Sequence, residues 1–437
     1  MRTAPLVHQP RSLHYSRPHD AAASTTNAVL IGALFLALVG NIPPAGGFSM
    51  DSDGSTAVVR AAGLGAGSLL LLFDLIRNGS EGARKTIFFL TPFLAFLAFC
   101  MLSAGWSLDP KATIVRSTES MGTFIFCGLW THAAVRSSDS DRQVCSWIAV
   151  AIVGVAVYGL LMNTALFGNP IRMVTSNEES DRIRLVFGGL HPLAVGDIMS
   201  LGIVTAVMSS LRVWQKIAAL FLFSPLLILT DATGARVLVA IVLLIYIAVQ
   251  ATRFLGLPRL MLLSVPFGIV AVLAVALLFS LEHPVAETMS GDERIWTLTG
   301  RTTLWAVIWE SGLANTWLGT GFDAARSAIL DIFGIAYQVH NQYLSILVEL
   351  GYIGMILFMP MFIIWGATVF GSRSLIAWCF AIYIAGINMD NASMLTKTWL
   401  IFATVFCYII SLEQRQRKAA TDRFRRAASR VSPLAQR

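Results

Sequence analysis

The sequence predicts an all-α polytopic integral membrane protein, with about 12 transmembrane helices and a large loop between spans 9 and 10. Three observations carry that prediction. Of 437 residues, 56% are hydrophobic and only 13% are charged, with a mean hydropathy of +0.69, a composition far from that of soluble domains. Apolar runs of about twenty residues, the length that crosses a bilayer core, recur along the chain. The charges between those runs are sorted by sign.

The elements follow in order. Residues 1–26 are polar, carry Arg2, Arg11 and Arg17, and enter the first apolar run without an A-x-A-type cleavage site. They read as a disordered cytoplasmic tail. Spans are then expected at 27–44, 56–76, 86–105, 113–134, 145–167, 190–211, 215–231, 235–251 and 260–281, and together they fill a first membrane unit over 27–281. Residues 282–343 form a polar, Trp-rich loop, and spans at 344–370, 374–389 and 394–412 complete a second membrane unit over 344–412. A basic cytoplasmic tail, 413–437, ends the chain.

An even number of spans puts both termini on one side. Most of the 32 Lys and Arg fall in the two tails and in the connections near Arg77, Arg136, Arg212, Arg253 and Arg373, and most of the 25 Asp and Glu fall on the other side. Basic loops stay in the cytoplasm, so the net charge of +7 reports topology and gives no reason to expect nucleic acid. The five cysteines lie in or beside apolar runs with no C-x-x-C pair, which suggests neither a disulfide framework nor a zinc site. Arg60 reads as a snorkelling side chain. Arg116 and Glu119, three residues apart on one helical face, can pair.

Two outer segments are long enough to fold over the membrane: 167–192 and 282–343. The larger carries Arg294, Arg301, Arg326 and His340. Within it, Gly300 to Glu310 reads as a helix start, and the closeness of Trp296, Trp305, Trp309 and Trp317 places that helix along the outer membrane surface. Gly319-Thr320-Gly321 then forces a turn.

Guanidinium groups bind phosphate oxygens bidentately and stay charged, so Arg301 and Arg236 fit an anionic lipid head. Each also has the simpler reading of an interfacial anchor, and for Arg236 an ion pair with Asp231. His340 titrates near neutrality and can serve as a general base, although a single His at an interface is more often a packing residue.

His340-Asn341-Gln342-Tyr343-Leu344 through Glu349-Leu350-Gly351-Tyr352-Ile353-Gly354 resembles the H-N-x-Y-L-x-x-x-x-E-x-G-x-x-G signature of the O-antigen ligase and Wzy-type polysaccharide polymerase superfamily. Gly300-Arg301 with Trp305, Gly319-Thr320-Gly321, Trp106-Ser107 with Asp109-Pro110, Gly189-His191-Pro192 and Thr233-Gly234-Ala235-Arg236 resemble further elements in the same order. Ala235 stands where the family often has Ser. The resemblance spans roughly residues 85 to 400.

That resemblance implies a glycosyltransferase of the bacterial inner membrane, multi-pass with both termini cytoplasmic. Its donor would be an undecaprenyl-diphosphate-linked oligosaccharide, used on the periplasmic face in exopolysaccharide biosynthesis. His340 would be catalytic, and Arg236, Arg301, Asn341, Tyr343 and His191 would bind substrate. No cofactor or metal is expected, since no nucleotide fingerprint or D-x-D pair occurs in an outer loop. The implied partners are the lipid-linked oligosaccharide, membrane lipids and other polysaccharide assembly and export proteins, with no nucleic acid. The alternatives are an O-antigen ligase that transfers glycan to lipid A core, a transporter or flippase of lipid-linked glycans, and a non-catalytic scaffold for assembly.

Overall fold

The computed structural model describes residues 19–40, 42, 54–78, 83–137, 140–177, 180–188, 190, 192–254, 298–333, 339, 341–371 and 374–390. Helices lead: α1 (His19–Val39), α2 (Gly54–Asn78), α3 (Ala83–Leu102), a 3-10 turn (Ser103–Gly105), α4 (Pro110–Ser137) and α5 (Asp141–Phe167). A two-stranded antiparallel hairpin follows, β1 (Arg172–Asn177) with β2 (Ser180–Val186), in the register Val174 opposite Arg184. Then come α6 (Pro192–Met208), α7 (Val213–Leu229), α8 (Thr233–Phe254), α9 (Leu298–Glu310), α10 (Ala325–Phe333), α11 (Gln342–Gly371) and α12 (Leu375–Asp390).

Helices cover ten of the segments expected as spans. The expected spans at 260–281 and 394–412, and both tail segments, lie outside the described residues, as do Cys407 and the side chain of Arg60. Among the described residues, Asp141–Phe167, Thr233–Ala251 and Gln342–Pro360 are long and apolar enough to cross a membrane, and six shorter apolar helices accompany them.

The expectation of an all-α chain needs one correction, the hairpin at 172–186. Leu185 and Phe187 alternate into the main core while Arg184 faces away from it, a period of two that suits a strand. Asn163 of α5, wholly buried, fixes the hairpin base. Its Nδ2 donates to Pro170 O (3.1 Å) and Val186 O (2.7 Å), and its Oδ1 accepts from Gly188 N (2.9 Å). The hairpin base has thereby satisfied backbone groups that would otherwise be costly to desolvate.

Local signals set the helix ends. Ser140 caps α5 by accepting from Gln143 N, and Gly168, at φ +71°, closes it with an N–H bond to Thr164 O, the left-handed stop that glycine tolerates. Between helices, buried polar groups are paired. Trp130 Nε1 donates to Leu30 O, joining α4 to α1. Tyr383 of α12 donates to Asp197 O of α6 and shares a hydrogen bond with Ser200 Oγ. The described cysteines, Cys100, Cys127, Cys145 and Cys379, are buried free thiols.

Two contacts orient α11 and α12. Ser374 Oγ donates to Asp141 Oδ2 (2.5 Å), putting the start of α12 beside the start of α5. Near its other end, Gly386 packs against Leu238 in the second turn of α8. Because α11 precedes α12 by a short connection, the start of α11 looks toward the end of the bundle where α8 begins.

Candidate functional site

At the head of α8 the chain turns sharply. Thr230 Oγ1 donates to Leu227 O, Asp231 adopts φ +51°, and Thr233 N returns to Asp231 O. One turn later Arg236 Nη2 donates to Asp231 Oδ1 (2.5 Å) and to Thr233 Oγ1 (3.1 Å). The other side of the same carboxylate faces the hairpin, with Arg184 Nε 3.8 Å from Asp231 Oδ2. Asp231 is thus shared between two guanidiniums, one from α8 and one from β2. Arg236 Nε is buried and has no hydrogen-bond partner, so one donor of its fork is left for an acceptor.

A second polar assembly is built on a break in α11. Gly351 sits at φ +63°, ψ −161°, a conformation essentially reserved for glycine, and the helical ladder stops there. Residues 316–321 lie alongside the break and complete it. Thr320 N and Gly321 N donate to Val348 O (2.9 Å) and Glu349 O (2.8 Å), while Tyr352 N and Ile353 N donate to Thr316 O (3.0 Å) and Trp317 O (3.2 Å). A Cβ on Gly351 would strike the backbone of Trp317.

The connection between α3 and α4 covers this strap from outside. Trp106 Nε1 donates to Leu318 O and Leu108 N to Thr320 O. Gly321 lies directly on Ser107, where a Cβ would collide with the serine side chain. Ser103 Oγ accepts from Phe322 N and Thr113 Oγ1 donates to Phe322 O. Arg116 ties the strap to α4, bonding Asp323 (3.1 Å) and Glu119 (2.8 Å). Glu349 is buried beside Asp323.

The start of α11 is capped from its own chain. Asn341 Oδ1 accepts from Tyr343 N (3.0 Å) and Leu344 N (3.2 Å), the role for which Asn is favoured at a helix N-terminus. Just before it, buried Val339 accepts from Trp305 Nε1 (2.8 Å). Ile308, Ile329, Val339, Leu344 and Val348 form a small core of their own joining α9, α10 and α11.

Residues 218–359 match the family model described as O-antigen ligase. That segment belongs to the O-antigen ligase and Wzy superfamily. It runs from α7 into the part of α11 beyond the Gly351 break, and so includes both Arg236 and the whole strap. No curated protein matches the chain. Its apolar helices together with the ligase family make this a membrane protein.

Of the residues singled out from the sequence, the ligase segment holds Arg236, Arg301, His340, Asn341 and Tyr343. Arg236 heads α8 and carries the expected ion pair with Asp231. Asn341 caps α11, and Tyr343, half-buried, packs on the main core. Arg301 lies on α9, but its side chain is outside the described residues, as are His340, His191, Arg294 and Trp296. Among the described residues no group of three or more His, Cys, Asp or Glu is arranged to hold a metal ion.

The expectation of a Trp-lined surface helix is modified. On α9 Trp305 turns inward to Val339, whereas Trp309 and, beyond the helix, Trp317 are 50% and 69% exposed. Sequence reasoning missed Arg184 and the pairing of Asp323 with Arg116. For Arg184 a signal existed: in Arg182-Ile183-Arg184-Leu185, basic and apolar residues alternate with the period of a strand.

Proposed function

We propose that this protein is a metal-independent glycosyltransferase that polymerises or transfers undecaprenyl-diphosphate-linked oligosaccharide units on the periplasmic face, in exopolysaccharide biosynthesis. It would be an inner-membrane protein with about 12 spans, both termini cytoplasmic and residues 282–343 outside. The observation that carries the reading is the head of α8 within the ligase segment. There Arg236 is held by Asp231 on one edge and keeps a buried Nε without an acceptor.

In the proposed reaction an acceptor-sugar hydroxyl oxygen attacks the anomeric carbon of the lipid-linked glycan. A new glycosidic C–O bond forms while the bond from that carbon to the phosphate oxygen breaks, and the electron pair leaves on the diphosphate. Arg236 and Arg301 stabilise that developing charge, the task a metal performs in other glycosyl transfers. His340 accepts the proton of the attacking hydroxyl. Asn341, Tyr343 and His191 would contact the sugars or the diphosphate.

Incubating the purified protein in detergent with lipid-linked repeat units tests the reaction, because a flippase or a scaffold forms no glycosidic bond. Elongated glycan is expected from the native chain and none from His340→Ala at equal expression and thermal stability. A folded, fully active His340→Ala protein would overturn the assignment of the base. Transfer to lipid A core in place of chain elongation would select the O-antigen ligase alternative.

A further inference from the structure

Two helices beside the strap measure the same distance. α3 ends at Leu102 after 20 residues, and α11 runs on from its break at Gly351 to Gly371. At a rise of about 1.5 Å per residue each stretch is about 30 Å long, the thickness of a bilayer's hydrocarbon. They lie side by side at matching heights. Phe96, six residues before the end of α3, packs on Phe358, seven residues after the break, with ring centroids 5.3 Å apart.

At the level where both stretches begin lies a continuous aromatic and apolar surface. Trp106 Nε1 donates to Leu318 O, and its ring rests on Phe99 (5.7 Å). Trp317, beside Leu318, meets Tyr352 edge-on (5.6 Å), and the Tyr352 hydroxyl donates to Asn315 Oδ1 (2.6 Å). Leu102, Leu108, Trp317 and Leu318 are exposed. Indole and phenol rings, apolar in body and polar at one edge, are the side chains that settle in a lipid head-group layer.

α11 changes character across the break. None of residues 342–350 is exposed, and Gln342, Ser345 and Glu349 among them are buried polar side chains. Beyond the break Ile356, Met359 and Ile363 are exposed, spaced three and four apart as on one face of a lipid-facing helix. The first two turns pack instead with α9 and α10 through Ile308, Ala325, Ile329, Leu344 and Val348, a core separate from the main one. Apolar side chains gain little by leaving lipid for such a core, whereas leaving water drives its formation. With 13 and 9 residues, α9 and α10 are also too short to cross a bilayer.

We infer that the bilayer surface on the strap side meets the protein at the Gly351 break, with Trp106, Trp317 and Tyr352 seated among phospholipid head groups. Residues 342–350, with α9 and α10, then stand in water. The span expected at 344–370 shortens to 351–371, and membrane contact passes from the Trp-lined helix α9 to the strap. Irregular backbone is tolerated poorly in hydrocarbon, and here the groups freed at the break lie at the interface and are bonded to residues 316–321. None of this depends on the reaction proposed above.

Spin labels read the depth. The full-length protein carrying Cys407→Ser is placed in phosphatidylcholine nanodiscs, with one nitroxide at a time on Ser311→Cys, Leu318→Cys, Ile356→Cys or Ile363→Cys. The four described cysteines are buried, and the protein without an added Cys serves as the blank. Collision of each label with oxygen and with a water-soluble nickel chelate is then measured. Ser311, exposed after α9, is expected to meet mainly nickel, and Leu318 to stand at the crossover. Ile356 and Ile363, about 8 and 18 Å further along α11, are expected to meet oxygen and not nickel.

A span starting at Leu344 would put the break about 10 Å below the surface, and a Leu318 label dominated by oxygen overturns the inference. So does a Leu318 label as open to nickel as Ser311, with the crossover at Ile356 or beyond. A Leu318 label shielded from both reagents would make the patch a contact between copies of the chain, which overturns it as well. If Leu318→Cys does not fold, Leu108→Cys, exposed and bonded through its backbone to Thr320, gives the same reading.

Discussion

Replacing Gly351 by Ala tests whether the break in α11 is a built feature. Two costs add. A Cβ must adopt φ +63°, ψ −161°, a strain of about 1–3 kcal/mol. It must also displace the backbone of Thr316 and Trp317, which lengthens the bonds from Tyr352 N and Ile353 N first and then those from Thr320 N and Gly321 N. At about 1 kcal/mol for each backbone bond, opening two of the four brings the loss to about 3–5 kcal/mol.

The assay is hydrogen exchange followed by mass spectrometry on the detergent-solubilised protein, read on peptides covering 316–322 and 348–354. Exchange in a locally opening segment tracks its opening free energy, so a loss of about 3 kcal/mol accelerates it by more than about 100-fold. Gly122→Ala is the control, since its added Cβ meets nothing within 4 Å and Ala is preferred to Gly inside a helix by about 1 kcal/mol. Gly351→Ala exchanging like the control would refute the reasoning, because α11 would then run on without needing the strap.

Three residues supply the remaining predictions. Asn341→Ala removes the cap of α11 and is expected to cost about 1 kcal/mol, seen as a lower thermal midpoint, whereas Asn341→Asp keeps the acceptor and the midpoint. If the Asn341 amide also donates to a substrate, Asn341→Asp loses glycan elongation at unchanged stability; an Asn341→Ala midpoint equal to the native one would exclude the cap. Asn163→Leu strands the carbonyl of Val186 and the N–H of Gly188, both in buried bonds, and frees the half-covered Pro170 carbonyl; it is expected to cost about 2–4 kcal/mol, with faster proteolytic cleavage between 170 and 190. An unchanged cleavage rate would show that Asn163 does not anchor the hairpin. His340→Ala, at native stability, is expected to abolish elongation.

What was legible in the sequence was local or periodic. Apolar runs located the helices because each needs only its own residues to be recognised, and the pairs Arg116 with Glu119 and Asp231 with Arg236 were legible because three and five positions separate them. The hairpin was harder: its alternation is short and its outward face is basic, so it reads as a polar loop until Leu185 and Phe187 are seen in the core. Nothing local announces that Arg116 reaches Asp323, or that Trp106 reaches Leu318, 207 and 212 positions away. The motifs were visible as strings, but the sequence carried no sign that Trp106-Ser107, Gly319-Thr320-Gly321 and Glu349-Leu350-Gly351 are three sides of one knot. Asn341 was read for binding because it stands beside His340, and its capping bonds supply an independent reason for an Asn there.

The strap around Gly351 also constrains how the protein can be made. Its outer cover, residues 103–116, leaves the ribosome long before the strands of the knot at 316–323 and 348–353. The early helices must therefore wait in the membrane with Ser103 and Thr113 making only their local bonds to Cys100 and Ser107 until the late segment arrives and closes on them. The region recognisable as a ligase begins at residue 218, but the unit that assembles begins at least a hundred residues earlier. A chain split between α5 and α6 and co-expressed as two pieces should find its partner through this knot, while the recognisable segment produced by itself should be cleared by membrane proteases.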